Sequence, residues 1–150
     1  MLKNKSTLFC GVTITVLLAI IGVMVVNFLV LGKTEQGVDG RTAILLEEGE
    51  RVRVLGEMRG FLSAVQIIIT AAAKEDMDTI AKTARSVGSE HVEMAPAAMV
   101  AKLPLEFKTL GFNVHDDFDQ IAKDAEELRD PKHTLEQLGA VMGKCVACHS

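Results

Sequence analysis

The 150-residue sequence predicts an all-α protein, one N-terminal transmembrane helix followed by a four-helix bundle. Three features predict it. Ser6 to Gly32 carries no charged residue, apolar residues after position 42 recur at threes and fours without strand-like alternation, and helix start and stop signals cut that stretch into four. The organisation expected is an anchor over 1–33, a flexible linker over 34–41 and a helical domain over 42–150. All 20 acidic residues lie beyond Lys33, against 13 basic ones in positions 34–150. With no basic stripe, that balance excludes a nucleic-acid binder. Three cysteines exclude a disulfide-stapled miniprotein.

Leu8 to Leu31 is about 24 apolar or small residues, and a helix needs roughly 20 to span a bilayer. It ends Asn27-Phe28-Leu29-Val30-Leu31-Gly32-Lys33, without the small-residue site of a cleaved signal, so an uncleaved anchor is expected. Cys10 reads as a buried apolar thiol, not a lipid-attachment site. Lys3 and Lys5 precede the span while Glu35 and Asp39 follow it, which predicts a single-pass protein of a bacterial inner membrane with its domain in the periplasm. Gly32 to Gly40 reads as a polar, Gly-rich tether without structure of its own.

The first bundle helix is expected from Thr42 to about Lys74, with Leu45, Val52, Leu55, Met58, Leu62, Val65, Ile69 and Ala72 inward. Asp76 caps a second through Val87, with Met77, Ile80, Ala81 and Ala84 inward and Gly88 ending it. Ser89 to Leu103 is a connection, and Pro104 to Leu110 a short helical turn stopped by Gly111. Asn113 caps the third helix, burying Val114, Phe118, Ile121, Ala122, Ala125 and Leu128. Asp130-Pro131 opens the fourth, with Leu135, Leu138, Met142, Cys145 and His149 on one stripe. A domain without Trp or Tyr has little aromatic bulk for its core, which a bound group could supply.

The fourth helix ends in Cys145-Val146-Ala147-Cys148-His149, the Cys-x-x-Cys-His at which haem is held by two thioethers while histidine ligates iron. At about 100° per residue the three side chains leave the helix within an arc of roughly 100°. Three other readings compete: a thioredoxin-like redox pair, a zinc site completed by His91, His115 or His133, and a structural disulfide. Surface solvation is the ordinary reading of those three histidines. Asp116, Asp117 and Asp119 read as acids favouring a helix start, and Glu126-Glu127 as a solvated face. With no phosphate loop, nucleophile triad or paired acids, an enzyme is not expected.

Cys-x-x-Cys-His closing the fourth helix, with Leu103-Pro104-x-x-Phe107 and a capped third helix before it, resembles the cytochrome c prime family of c-type cytochromes over about residues 42–149. The resemblance implies one covalent haem c, with Cys145 and Cys148 on the vinyls and His149 as proximal iron ligand. It implies Arg51 beside a propionate and Leu55, one turn later, on the distal side. If Met58 reaches the iron as sixth ligand, a low-spin electron carrier follows; if Leu55 covers it, a five-coordinate centre binding small gases such as nitric oxide. The leading expectation is single-electron transfer with redox partner proteins at the periplasmic membrane face. Homodimers through the first two helices are a family trait. Family members also continue past the haem histidine, so here the thioethers are expected to hold the last turn.

Overall fold

The computed structural model describes residues 2–89 and 96–150, with side chains from residue 9 onward. Among these the protein is mostly helical: α1 (Leu2–Val25), α2 (Glu48–Ala72), α3 (Met77–Arg85), α4 (Ala97–Val100), α5 (Leu105–Glu127) and α6 (Pro131–His149). The expected connection at 89–103 contains α4; its residues 90–95, with His91, lie outside the described residues.

Two helices are long and apolar enough to cross a membrane. The first, Phe9–Leu31, buries none of its residues and ends in a π-helical turn, Val26–Leu31. The second is α2, which instead contributes Phe61, Ala64, Ile68, Ala71 and Ala72 to the core.

The segment after the first of these is not a formless tether. Thr34–Gln36 (β1) and Thr42–Ile44 (β2) pair antiparallel in the register Thr34↔Ile44, Glu35↔Ala43 and Gln36↔Thr42. The Gly37 amide donates to the Arg41 carbonyl at 2.7 Å, and Gly40 takes φ +84°, a backbone state that glycine reaches without strain. The exit of the apolar span is pinned as well. Gly32 has φ +63°, and a Cβ there would come within 2.5 Å of the Lys102 carbonyl. The Lys33 amide donates to that carbonyl at 2.7 Å, and the Leu45 amide donates to the Lys33 carbonyl at 2.8 Å.

The hairpin takes residues expected in the first bundle helix, so α2 starts at Glu48. Its start is secured when the Glu50 carboxylate accepts from the Glu47 amide at 2.9 Å. α5 runs straight through Gly111 and Asn113, so the stop and cap expected there do not exist. Apolar spacing carries it, because Val114 and Phe118 continue the inward face of Phe107 and Leu110. The caps at Asp76 and Asp130 form as expected, donors being the amides of Thr79 and of Lys132 and His133.

α2, α3, α5 and α6 share one core: Phe61 and Ile68, Ile80 and Ala84, Phe118 and Ile121, Leu138 and Val141. Phe61 stacks on Phe118 with centroids 5.5 Å apart. Buried alanines at 64, 71, 72, 81, 84, 122 and 125 draw the backbones together, so this core closes without the aromatic bulk that its composition lacks. The inward faces of α3 and α5 match expectation except Leu128, which caps α5 and is exposed. Leu45 falls before α2 and is exposed, and on α2 the expected stripe is rotated: Val52, Leu55, Leu62 and Ile69 are exposed, while Ala72 is buried as expected. Its apolar residues surround the helix, and the face with Ala64 and Ala71 permits the closest approach. Leu135 and Met142 on α6 are exposed for the same reason, Thr134 and Val141 turning inward.

Asp124 ties α5 to α6. It accepts from Gln120 at 2.7 Å, Gln137 at 2.6 Å and His133 at 3.2 Å. The Gln120 amide first, then His133 and Gln137, hold its carboxyl below the ordinary value of 3.8, against the opposing effect of burial. A depressed carboxyl stabilises the fold above its unfolded pKa and loses that contribution as pH falls through the folded one. The melting temperature should therefore drop on acidification below 3.8, and Asp124→Asn should flatten part of that drop in a thermal-melt series over pH.

Candidate functional site

The last turn of α6, the hairpin and the first turns of α5 border an open cleft of about 550 Å³. That lies within the roughly 300–1,000 Å³ typical of cofactor sites. Cys148 and His149 form one wall, Phe107 and Leu110 an apolar second, and Asp39, Arg41 and Ile44 the third. Phe107 belongs to the Leu103-Pro104-x-x-Phe107 run noted in the sequence.

Cys145 is half-buried outside that lining, its thiol donating to the Val141 carbonyl at 3.5 Å. Cys148 is open to solvent within the cleft but surrounded by protein. Burial pushes its thiol above the ordinary value of 9.0, and the neighbouring Cys145 adds to the effect. Cys148 also sits at a helix C-terminus, where the dipole's negative end disfavours a thiolate. A redox-active pair requires the opposite, a lowered thiol pKa of the kind found at helix N-termini.

The zinc reading loses two of its donors. His115, expected on the surface, is buried; its Nδ1 lies 2.8 Å from the Val87 carbonyl and its ring 4.9 Å from Phe61. His133 is taken by Asp124. Among the described residues no three His, Cys, Asp or Glu side chains converge as a metal-binding group. A haem asks less of the chain, one imidazole and two thiols from a single helix. Cys148 and His149 stand on the cleft opposite Phe107 and Leu110, and Cys145 lies one turn back along the same helix, outside the lining.

The helix α2 residues stand apart from this cleft. Arg51 and Leu55 are exposed, and Met58 is partly buried against the core. None of the three lines the cleft. The cation that does is Arg41, which local sequence pattern gave no reason to single out. Its Nε donates to Asp39 at 2.7 Å and its Nη1 to the His149 carbonyl at 3.2 Å. The Arg41 guanidinium holds the Asp39 carboxyl below its usual range. Arg41 thus closes the last turn of α6, the role expected of the thioethers, by taking up a carbonyl left without a helical partner.

No family model, curated protein or solved structure matches this chain.

The acids on α5 also have specific partners. Because α5 starts at Leu105, Asp116, Asp117 and Asp119 lie mid-helix; Asp117 pairs with Lys144 of α6 at 2.6 Å and Asp119 accepts from the Ser89 amide at 2.9 Å. Glu126 pairs with Arg85 of α3 at 2.9 Å. The Lys144 pair steadies α6 one residue before Cys145. Arg41→Ala should leave the core intact and loosen only the last turn, read as several-fold faster hydrogen exchange at the amides of Ala147 to His149 than at Leu138.

Proposed function

We propose that the chain is a membrane-tethered monohaem c-type cytochrome, a four-helix bundle of the cytochrome c prime kind that passes single electrons in the periplasm. The observation that carries this reading is Cys145-Val146-Ala147-Cys148-His149 on the last turns of a helix, with Cys148 and His149 opening on a cleft walled by Phe107 and Leu110. Cys145 and Cys148 hold the haem c through thioethers and His149 is its proximal ligand. The haem supplies a one-electron iron couple. The protein supplies attachment, a largely apolar wall and a cation at the rim. Lys3 and Lys5 before the span support a periplasmic domain by the positive-inside rule. Redox partner proteins are its partners in this role, and the family trait of homodimerisation belongs to the same proposal.

A second reading, a five-coordinate haem module binding small gases, draws support from Met58, which is packed against the core and away from the cleft. Both readings require covalent haem. The protein purified from a host competent in c-type maturation should stain for haem on a denaturing gel, and Cys145→Ser with Cys148→Ser should abolish the stain; an unstained native chain sinks both. Met58→Ala should leave the absorption spectrum unaltered, and loss of a low-spin spectrum would instead make Met58 the sixth ligand. Ferrous protein whose spectrum is unchanged by carbon monoxide favours the electron carrier, and a shift favours the gas-binding module.

A further inference from the structure

We propose that the outer face of the first two turns of α5, carrying Leu105, Lys108 and Phe112, docks on the lipid surface around the anchor. This inference rests on the membrane anchor and not on the haem. Spacings of three and four put the three residues on one side of α5, opposite the inward Val114 and Phe118. Leu105 is 48% and Phe112 40% exposed, large apolar side chains left partly open to solvent.

Their occupant follows from what lies beside them. The α5 start packs on the π-helical turn Val26–Leu31, and the Lys108 ammonium lies 3.4 and 3.5 Å from the Phe28 and Leu29 carbonyls. Twenty-three helical residues from Phe9 to Leu31 are slightly longer than the roughly 30 Å hydrocarbon core, which sets Phe28 to Leu31 at its boundary. Whatever packs beside those residues shares their depth. The Gly32–Lys33 joint, fixed on Lys102, prevents the domain from swinging away. A leucine and a phenylalanine flanking a lysine that reaches for polar atoms is the composition of an interfacial face, with apolar bodies in the acyl boundary and the ammonium among headgroups.

The chain has no Trp, so single tryptophans report depth without background. The full-length protein would be reconstituted in phosphatidylcholine vesicles with and without brominated acyl chains, as Leu105→Trp, Phe112→Trp, Phe28→Trp within the anchor, and Leu128→Trp at the far end of α5. The ratio between the two vesicle types cancels quenching inside the protein. Leu105→Trp, Phe112→Trp and Phe28→Trp should each lose about twofold or more of their emission, as expected at the headgroup and acyl boundary. Leu128→Trp, roughly 35 Å along the helix from Leu105, should lose none. Quenching at Phe28→Trp with none at Leu105→Trp or Phe112→Trp overturns the docking and leaves the face to a protein partner. No quenching at Phe28→Trp overturns the anchor itself, and the docking with it.

Discussion

The backbone bond from the Lys33 amide to the Lys102 carbonyl is the contact on which the arrangement turns. It joins the exit of the apolar span to the loop before α5, and it requires glycine at position 32, where φ is +63° and a side chain would strike that same carbonyl. Lys102 is held in turn by both oxygens of Glu50, at 2.7 and 2.8 Å, with both side chains about four-fifths buried. Lys102 draws the Glu50 carboxyl below its ordinary range, and the Glu47 amide that Glu50 caps adds to the effect. One lysine therefore links the apolar span, the hairpin and the start of α2. Removing either partner of so shielded a pair leaves a charge poorly solvated, which costs more than an exposed pair would return.

The same joint makes the cleft. The hairpin cannot drift because Lys33 and Leu45 tie its base, so Arg41 is presented to the last turn of α6 across 108 residues of sequence. Electrostatics there are consistent at every level. The partial negative charge of the helix end is met by a guanidinium, and the Cys148 thiol is pushed toward its neutral form. A thiol held neutral exchanges slowly with disulfides. In the proposed cytochrome that is an advantage, since Cys145 and Cys148 sit one turn apart and would otherwise be prone to pair with each other before attachment.

Signals confined to a few adjacent residues were legible in the sequence; contacts between distant ones were not. Asp76 and Asp130-Pro131 cap helices because their side chains reach amides two or three residues ahead, a wholly local matter. The apolar span and Cys145-Val146-Ala147-Cys148-His149 are equally local. The hairpin escapes such reading because its strands are three residues each, too short for alternation to register, and their pairing depends on the turn at Gly37 and Gly40. Gly111 misleads because a glycine inside a helix costs only about 1 kcal/mol, which the continuous apolar face of α5 outweighs. α2 is apolar on almost every side, so periodicity alone could not choose between Leu55, Leu62 and Ile69 and the neighbouring Phe61, Ala64 and Ile68. Arg51 was singled out by the family resemblance, whereas Arg41 acquires its place only when the two ends of the domain meet.

A rigid joint changes what kind of electron carrier the proposal describes. A domain on a loose tether samples a hemisphere of orientations and meets partners at many heights above the bilayer. Here Phe107 and Leu110 wall the cleft from α5, and Leu105, Lys108 and Phe112, on the other side of the same two turns, form the face proposed to meet the membrane. The cleft is thereby held within the thickness of one helix, roughly 10 Å, of the surface on which α5 rests. Partners presenting a redox centre close to the membrane plane are favoured, and those whose centre lies far above it are excluded by geometry. Confinement to one plane and one orientation raises the effective concentration for such partners without any new contact, so the interface itself can remain weak and turn over quickly. The acidic excess of positions 34–150 then serves encounter more than affinity, since exposed charge acts mainly on association rate.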